Sequence, residues 1–404
     1  MRGIFPNEYV ANPDHFEVED AYVQMDGFSW EEFEPKELTY SIVLLPPLRI
    51  GGRAIKGLLF SPGVEVLNAH CPSLKDHFLT IANSRWCGYP WSTSADGWFT
   101  CYPNAHRVAR YERRAAADSV KTLVPAQTAD YTSELQFSPH DRISKDIDIL
   151  VVARVHACKN LSLLARSLAT LRKKHTKRRY RAVWAIGRSI SEAARFDSAR
   201  HIIAEMEKVL GSLTDYIEPI GKIQSKDMPA LYSRARATFL PSKIEGKNRS
   251  IVESLCCDVP TVVLSEYNSV ARGETPVFAC NAGLTVESHA DAVADGLAVA
   301  VDNYGDFHSR DEYLKVGGRM NFLWECLRSF HYFREMLPLS FPDKCEVWLD
   351  EMMHETYGIG IREFTFFSSR TTSLAMKHEL PGLSRADGLV QTKKLLDAYS
   401  AITA

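Results

Sequence analysis

Between residues 148 and 301 short apolar runs alternate with runs of helical period, and that alternation leaves few folds open. The strand-like runs fall at 148–155, 182–186, 216–220, 238–240, from 261 onward, and 283–286. Helix-like runs at 161–174, 189–210, 225–234, 249–257 and 289–301 lie between or after them, the first with Leu161, Leu164, Leu168 and Leu171 on one face. Strands separated by helices at this spacing require a parallel sheet whose right-handed crossovers cover both of its faces. An α/β class is therefore expected.

Length asks for more than one such layer. At 404 residues the chain exceeds one ordinary core, so two domains are expected. Residues 39–145 read as a short first domain of Rossmann-like type, with strands at 40–45, 64–68, 98–101 and 121–126 and a helix at 104–117. A turn through Gly51 and Gly52 is followed by a helix-like stretch reaching Phe60, and the polar 128–145 segment reads as the linker. Residues 146–303 form the second domain, and 304–404 a helix-rich segment with helices near 322–337 and 392–401. Residues 1–38 interleave ten acidic side chains with Phe16, Phe28, Trp30 and Phe33, which predicts an arm that packs on something.

Charge and cysteine usage exclude several classes. With 48 Lys and Arg against 50 Asp and Glu, the chain lacks a nucleic-acid-binding balance. No run approaches the roughly 18 apolar residues of a membrane span. The acidic N-terminus has no apolar core resembling a secretory signal, and nine cysteines without C-x-x-C pairs fit a reducing compartment, so a cytoplasmic location is expected. Cys256 and Cys257 are read as packing groups.

Two glutamates carry the densest chemistry. Glu245 follows the 238–240 strand, at the carboxyl end where open parallel sheets place ligands. The loop runs through Gly246, Lys247 and Asn248 into a helix start suited to an anion. Glu253, further along that helix, can accept hydrogen bonds from neutral hydroxyls such as those of a ribose. A structural alternative stands beside this: Ser250 to Glu253 has the pattern of a capping box, in which Glu253 would bind only its own helix start.

Other residues admit two readings each. Gly51 and Gly52, between a strand and a helix-like stretch, suit phosphate approach or a plain turn. His70 follows the 64–68 strand, as a catalytic or a structural histidine. Asp146 and Asp148 imitate a metal-binding carboxylate pair, but they stand at a strand entrance, remote from the ligand edge, and no metal site is expected. The seven Lys and Arg of 172–181 suit a solvated loop or an anionic membrane surface.

Three blocks in order carry a family resemblance: VVARVHACKN at 151–160; IEPIGKI at 217–223 with LYSRARA at 231–237; and PSKIEG at 241–246, continuing to Glu253 and DVPTVV at 258–263. The 148–301 stretch resembles the nucleotide-binding domain of GT-B fold glycosyltransferases, especially the large retaining family 4. The resemblance implies two Rossmann-like parallel-sheet domains facing across a cleft, followed by a helical C-terminal segment. It implies that Arg154 and Lys159 grip the diphosphate of a nucleotide sugar, that Glu253 binds the ribose and that Glu245 faces the transferred sugar. Gly187 and Ile220 at strand ends, and Gly246, Lys247, Asn248, Arg249 and Ser250 around the helix start, join the donor site by the same resemblance. Over the first half it is looser: Gly51 and Gly52 correspond to the opening glycine loop and His70 to a histidine touching the donor sugar, with His106 as its competitor. The loop after Glu245 reads Gly-Lys-Asn-Arg where the family commonly has Gly-aromatic-Gly, which leaves the sugar open.

The resulting expectation is a transferase without cofactor or metal, in which Glu245, Lys159, Arg154 and His70 are the catalytic residues. It moves a sugar with retention of configuration from a UDP-sugar, or a GDP-sugar, to a hydroxyl acceptor. That acceptor is a glycan, a lipid-linked or small molecule, or a protein; nucleic acid is not a partner, and the basic run provides for peripheral membrane contact. The alternative is a non-catalytic sugar-nucleotide-binding or partner-docking module on the same fold, with a glycosyl phosphorylase or epimerase third.

Overall fold

The computed structural model describes residues 42–361 except 62–63, 65–67, 69–71, 84–93, 100–121, 127–131, 225, 243–247, 268–280, 341 and 359. Two compact units emerge: one of residues 136–318, the other joining the chain before 136 to the chain after 318. Each is built on its own mainly parallel sheet, the pair of Rossmann-like units that the GT-B resemblance implies.

The first sheet has the order β1-β4-β5-β6-β7. Strand β1 (Ile42–Leu45) runs antiparallel to β4 (Gly57–Phe60), and β5 (Phe78–Asn83), β6 (Gly97–Phe99) and β7 (Thr122–Val124) continue parallel to β4. Between β1 and β4 the chain folds into a hairpin of β2 (Leu48–Ile50) and β3 (Arg53–Ile55). Gly51 and Gly52 form its turn with φ of 53° and 81°. Positive φ at both central residues is what a tight two-residue hairpin needs. The expected helix after Gly52 is therefore not formed, and these glycines do not open onto a helix N-terminus as the phosphate-approach geometry requires. Val64 and Asn68, at the ends of the expected second strand, are helical. His70, His106, Glu245, Gly246 and Lys247 lie outside the described residues, as do the arm at 1–38 and the helix expected at 392–401.

The second sheet is parallel throughout, in the order β10-β9-β8-β11-β12-β13. Its strands are β8 (Ile147–Val152), β9 (Ala182–Ala185), β10 (Glu218–Ile220), β11 (Ala235–Leu240), β12 (Thr261–Leu264) and β13 (Gly283–Val286). Helices α1 (Leu161–Lys174), α2 (Asp197–Leu210), α3 (Met228–Arg234) and α4 (Arg249–Cys256) connect successive strands, and α5 (Ala290–Asp302) follows β13. All four leucines expected on the inner face of α1 are buried. Trp184 fills the centre and donates its indole N–H to the Ala153 carbonyl at 2.7 Å. The run expected as one helix at 189–210 breaks into a single turn, Ile190–Ala193, and α2.

The amino edge of this sheet is a lattice of ion pairs. Asp146 meets Arg181 at 2.6 Å and Arg234 at 2.7 Å, and Asp148 meets Arg236 at 2.7 Å and Arg178 at 3.2 Å. The hydrogen bond from Arg234 above all holds the Asp146 carboxyl at about 2, below its ordinary 3.8. A depressed folded value means that its contribution is complete above the ordinary carboxylate value and disappears as pH falls from about 4 toward 2. Asp146→Asn is accordingly expected to flatten the acid limb of the urea midpoint against pH in that window; an unchanged limb would remove Asp146 from the acid response.

Beyond residue 318 the chain returns to the first unit. Helices α6 (Arg319–Ser329), α7 (His331–Met336) and α8 (Pro342–Tyr357) contribute Phe322, Leu323, Phe330, Phe333 and Leu349 to the core that also holds Leu58, Phe60 and Phe99. The rings of Phe99 and Phe322 lie 5.7 Å apart. Lys56 donates its backbone N–H to the Tyr332 hydroxyl at 2.9 Å, and the Tyr357 hydroxyl donates to the Pro47 carbonyl. A short sheet cannot cover its own faces, and this tail supplies the missing layer.

Candidate active site

Strand order in the second sheet reverses direction between β8 and β11: β9 and β10 follow on one side, β12 and β13 on the other. Loops leaving the carboxyl ends of the two flanking strands diverge there and leave a crevice. The site is built from what those loops carry.

After β8 the loop carries Arg154, which is exposed, into a one-turn helix, Ala157–Lys159. His156 caps that turn by accepting the Cys158 N–H at 3.3 Å, and Lys159 donates its backbone N–H to the His156 carbonyl at 3.0 Å. Asn160, with φ of 48°, then opens α1 from the left-handed region that asparagine tolerates. Lys159 is half-buried on this rigid turn. On the neighbouring strands, Gly187 turns the chain out of β9 with φ of 84°, and Ile220 ends β10, its carbonyl accepting from the Ile186 N–H at 3.1 Å.

After β11 the chain enters α4 through Asn248. Its side-chain Oδ1 accepts the Ser250 N–H at 2.8 Å and the Ser250 hydroxyl at 2.5 Å, and its own N–H donates to the fully buried Tyr267 hydroxyl at 3.2 Å. Asn248 is thus the cap, and the capping box anticipated from Ser250 and Glu253 does not form. A buried chain of hydroxyls fastens the helix to the sheet: Thr238 lies 2.8 Å from both Ser254 and Thr261, and Ser254 donates to the Val259 carbonyl at 3.0 Å.

Released from capping, Glu253 is held sideways. The Tyr232 hydroxyl, on α3, donates to Oε2 at 3.0 Å, and Arg249 Nε donates to Oε1 at 2.9 Å. Burial pushes the Glu253 carboxyl up, opposed by Arg249 and by the Tyr232 hydrogen bond. Burial also raises Tyr232 well above its ordinary value, and raises Cys257 to about 12, so that thiol stays protonated and packs. Tyr232→Phe is expected to cost about 1–2 kcal/mol of unfolding free energy, since a buried carboxylate loses a donor. Urea titration checks this, and a loss below about 0.5 kcal/mol would mean that the bond is replaced.

Arg154, Lys159, Gly187, Ile220, Asn248, Arg249, Ser250 and Glu253 thus share the carboxyl edge of one sheet. Asp146 and Asp148 stand at the opposite edge, engaged by arginines. Tyr232 was not assigned a role by sequence reasoning; its partner lies 21 positions away, and no local pattern joins them.

Residues 146–303 match the model of the family described as Glycosyl transferases group 1. The match covers the second sheet and less than half of the chain. Among solved structures the chain is similar to sucrose-phosphate synthase from Thermosynechococcus elongatus, at 14% identity and a TM-score of 0.45, over 65% of this chain and 70% of that one. A second is the C-terminal domain of a glycosyl transferase group 1 family protein from Francisella tularensis, at 16% identity and 0.36, over 46% and 97%. A third is Anabaena HepE in complex with UDP and glucose, at 10% and 0.46, over 67% and 76%. The chain spans 51% of the length of S. aureus TarM, which it also resembles. No curated protein matches the sequence.

The matched segment also carries the basic run. Of its seven Lys and Arg, Lys174 pairs with Asp291 and Asp295, Arg178 with Asp148 and Asp302, and Arg181 with Asp146 and Glu218. Those three are neutralised within the domain, which reduces the charge left for an anionic surface. Among the described residues no helix is long and apolar enough to cross a membrane.

Proposed function

We propose that this protein transfers a sugar from a nucleoside-diphosphate donor, a UDP-sugar before a GDP-sugar, to a hydroxyl acceptor, with retention of configuration and without a metal. What supports the reading is topology: Arg154 and Lys159 follow β8 and the N-terminus of α4 follows β11, the two strands flanking the reversal. A leaving nucleoside diphosphate develops negative charge as the bond from the anomeric carbon breaks. Two cations and a helix N-terminus stabilise that charge.

In this reading the acceptor oxygen bonds to the anomeric carbon on the face the phosphate leaves, and its proton passes to the departing phosphate oxygen. Glu253 accepts from the ribose hydroxyls, and Gly187 and Ile220 border the nucleoside. By the family's motif Glu245 is assigned to hydroxyls of the transferred sugar and, more loosely, His70 to the same sugar. The acceptor is a glycan, a lipid-linked or small-molecule alcohol, or a protein side chain.

The test is release of nucleoside diphosphate from UDP-, GDP- and ADP-sugars with a panel of alcohol acceptors. Acceptor-dependent release, an unchanged anomeric configuration by NMR and insensitivity to EDTA are expected. Nucleotide binding with no release from any donor would instead favour a binding module.

A further inference from the structure

The charge on the first residue of α4 runs against its helix. Arg249 sits where unpaired N–H groups and the macrodipole disfavour a cation. Its partner Glu253 lies four residues toward the C-terminus, the weaker order for such a pair, while helical side chains lean the other way, toward the N-terminus. The two ends also differ in exposure: the Arg249 side chain is 61% exposed and that of Glu253 12%. Tyr232, on the other carboxylate oxygen, is fully buried. One oxygen of Glu253 is thus held by a buried group and the other by an exposed one.

We propose that Arg249 is an exchangeable clasp: on binding of a nucleoside diphosphate its guanidinium leaves Glu253 for the diphosphate at the α4 N-terminus, and the freed Oε1 accepts from a ribose hydroxyl. Tyr232 keeps its hold on Oε2 throughout and fixes the carboxylate plane. The exchange rests on the donor site proposed above and adds a coupling between its two halves. A nucleoside lacking phosphates must break the ion pair without replacing it. A nucleoside diphosphate replaces it with a pair of higher charge, in a place where the helix favours the anion.

The coupling predicts effects of opposite sign from one substitution. The ligands are whichever of UDP, GDP and ADP binds the unaltered full chain best, and its parent nucleoside, both followed by calorimetry. Arg249→Gln is expected to weaken the diphosphate about tenfold and to leave the nucleoside unchanged or tighter. Tyr232→Phe, with folding checked by its thermal midpoint, is expected to weaken both ligands by a similar factor. Equal weakening of nucleoside and diphosphate by Arg249→Gln, or an unchanged diphosphate, overturns the exchange and leaves the donor site standing. Failure of the unaltered protein to bind any of the three diphosphates overturns both.

Discussion

Lys159→Ala and Glu245→Ala are each expected to lower the rate of sugar transfer about 100-fold to 1,000-fold while leaving the unfolding midpoint in place. For Lys159 the separation of activity from stability follows from how the residue is held. Its backbone belongs to a turn capped by His156 and does not depend on its side chain. Truncation therefore removes the ammonium and leaves the backbone bonds of the turn in place. A fixed cation near a leaving diphosphate acts where charge grows in the transition state, so the loss should fall on kcat as well as on kcat/KM. Glu245 is assigned through the family's motif, and truncating it should remove the grip on the sugar hydroxyls that orients the anomeric carbon. Turnover equal to the unaltered protein in either variant removes that residue from the reaction.

Gly283→Val is expected to cost on the order of 3 kcal/mol and to lower the melting temperature of the 136–318 unit by roughly 10 °C. A Cβ added at Gly283 would stand 2.2 Å from the Thr261 carbonyl oxygen and 3.0 Å from its nitrogen, both backbone atoms of β12. Those atoms are fixed in the ladder that pairs Thr261 with Gly283 and continues to Leu264 and Val286. Relief requires β13 to move away, and α5 packs over that strand with Gly296 already against Val286. Differential scanning calorimetry checks this, and a midpoint within 2 °C of the unaltered protein would mean that the edge strand yields without cost.

Legibility differed between the two units for physical reasons. In 146–303 the central strands β8, β9, β11 and β12 are almost wholly buried and the long helices show one apolar face, so periodicity locates most of them, and the family blocks fall on their junctions. In the first unit the pattern misleads. Arg53 to Phe60, largely apolar apart from Arg53 and Lys56, reads as a helix after a Gly-Gly turn, whereas the positive φ of both glycines folds it back as β3 and then β4. Strand β5 follows a one-turn helix, Leu74–His77, with no turn residue between them, so it escaped notice. The capping box that Ser250 and Glu253 offered as an alternative does not form, because Asn248 is the cap and takes the Ser250 N–H and hydroxyl itself. Tyr232 and the tail that closes the first core depend on contacts distant in sequence, which no local window contains.

The return of residues 319–361 to the first sheet has a consequence for synthesis. While the ribosome is still making that tail, Leu58, Phe60 and Phe99 lack the layer that Phe322, Leu323 and Phe333 supply, whereas the 136–318 unit is already complete in sequence. The lobe begun first is therefore finished last, and it must wait with its apolar face open while its neighbour folds. That inverts the usual order of amino-terminal folding and makes the nascent first sheet a natural client for holding chaperones.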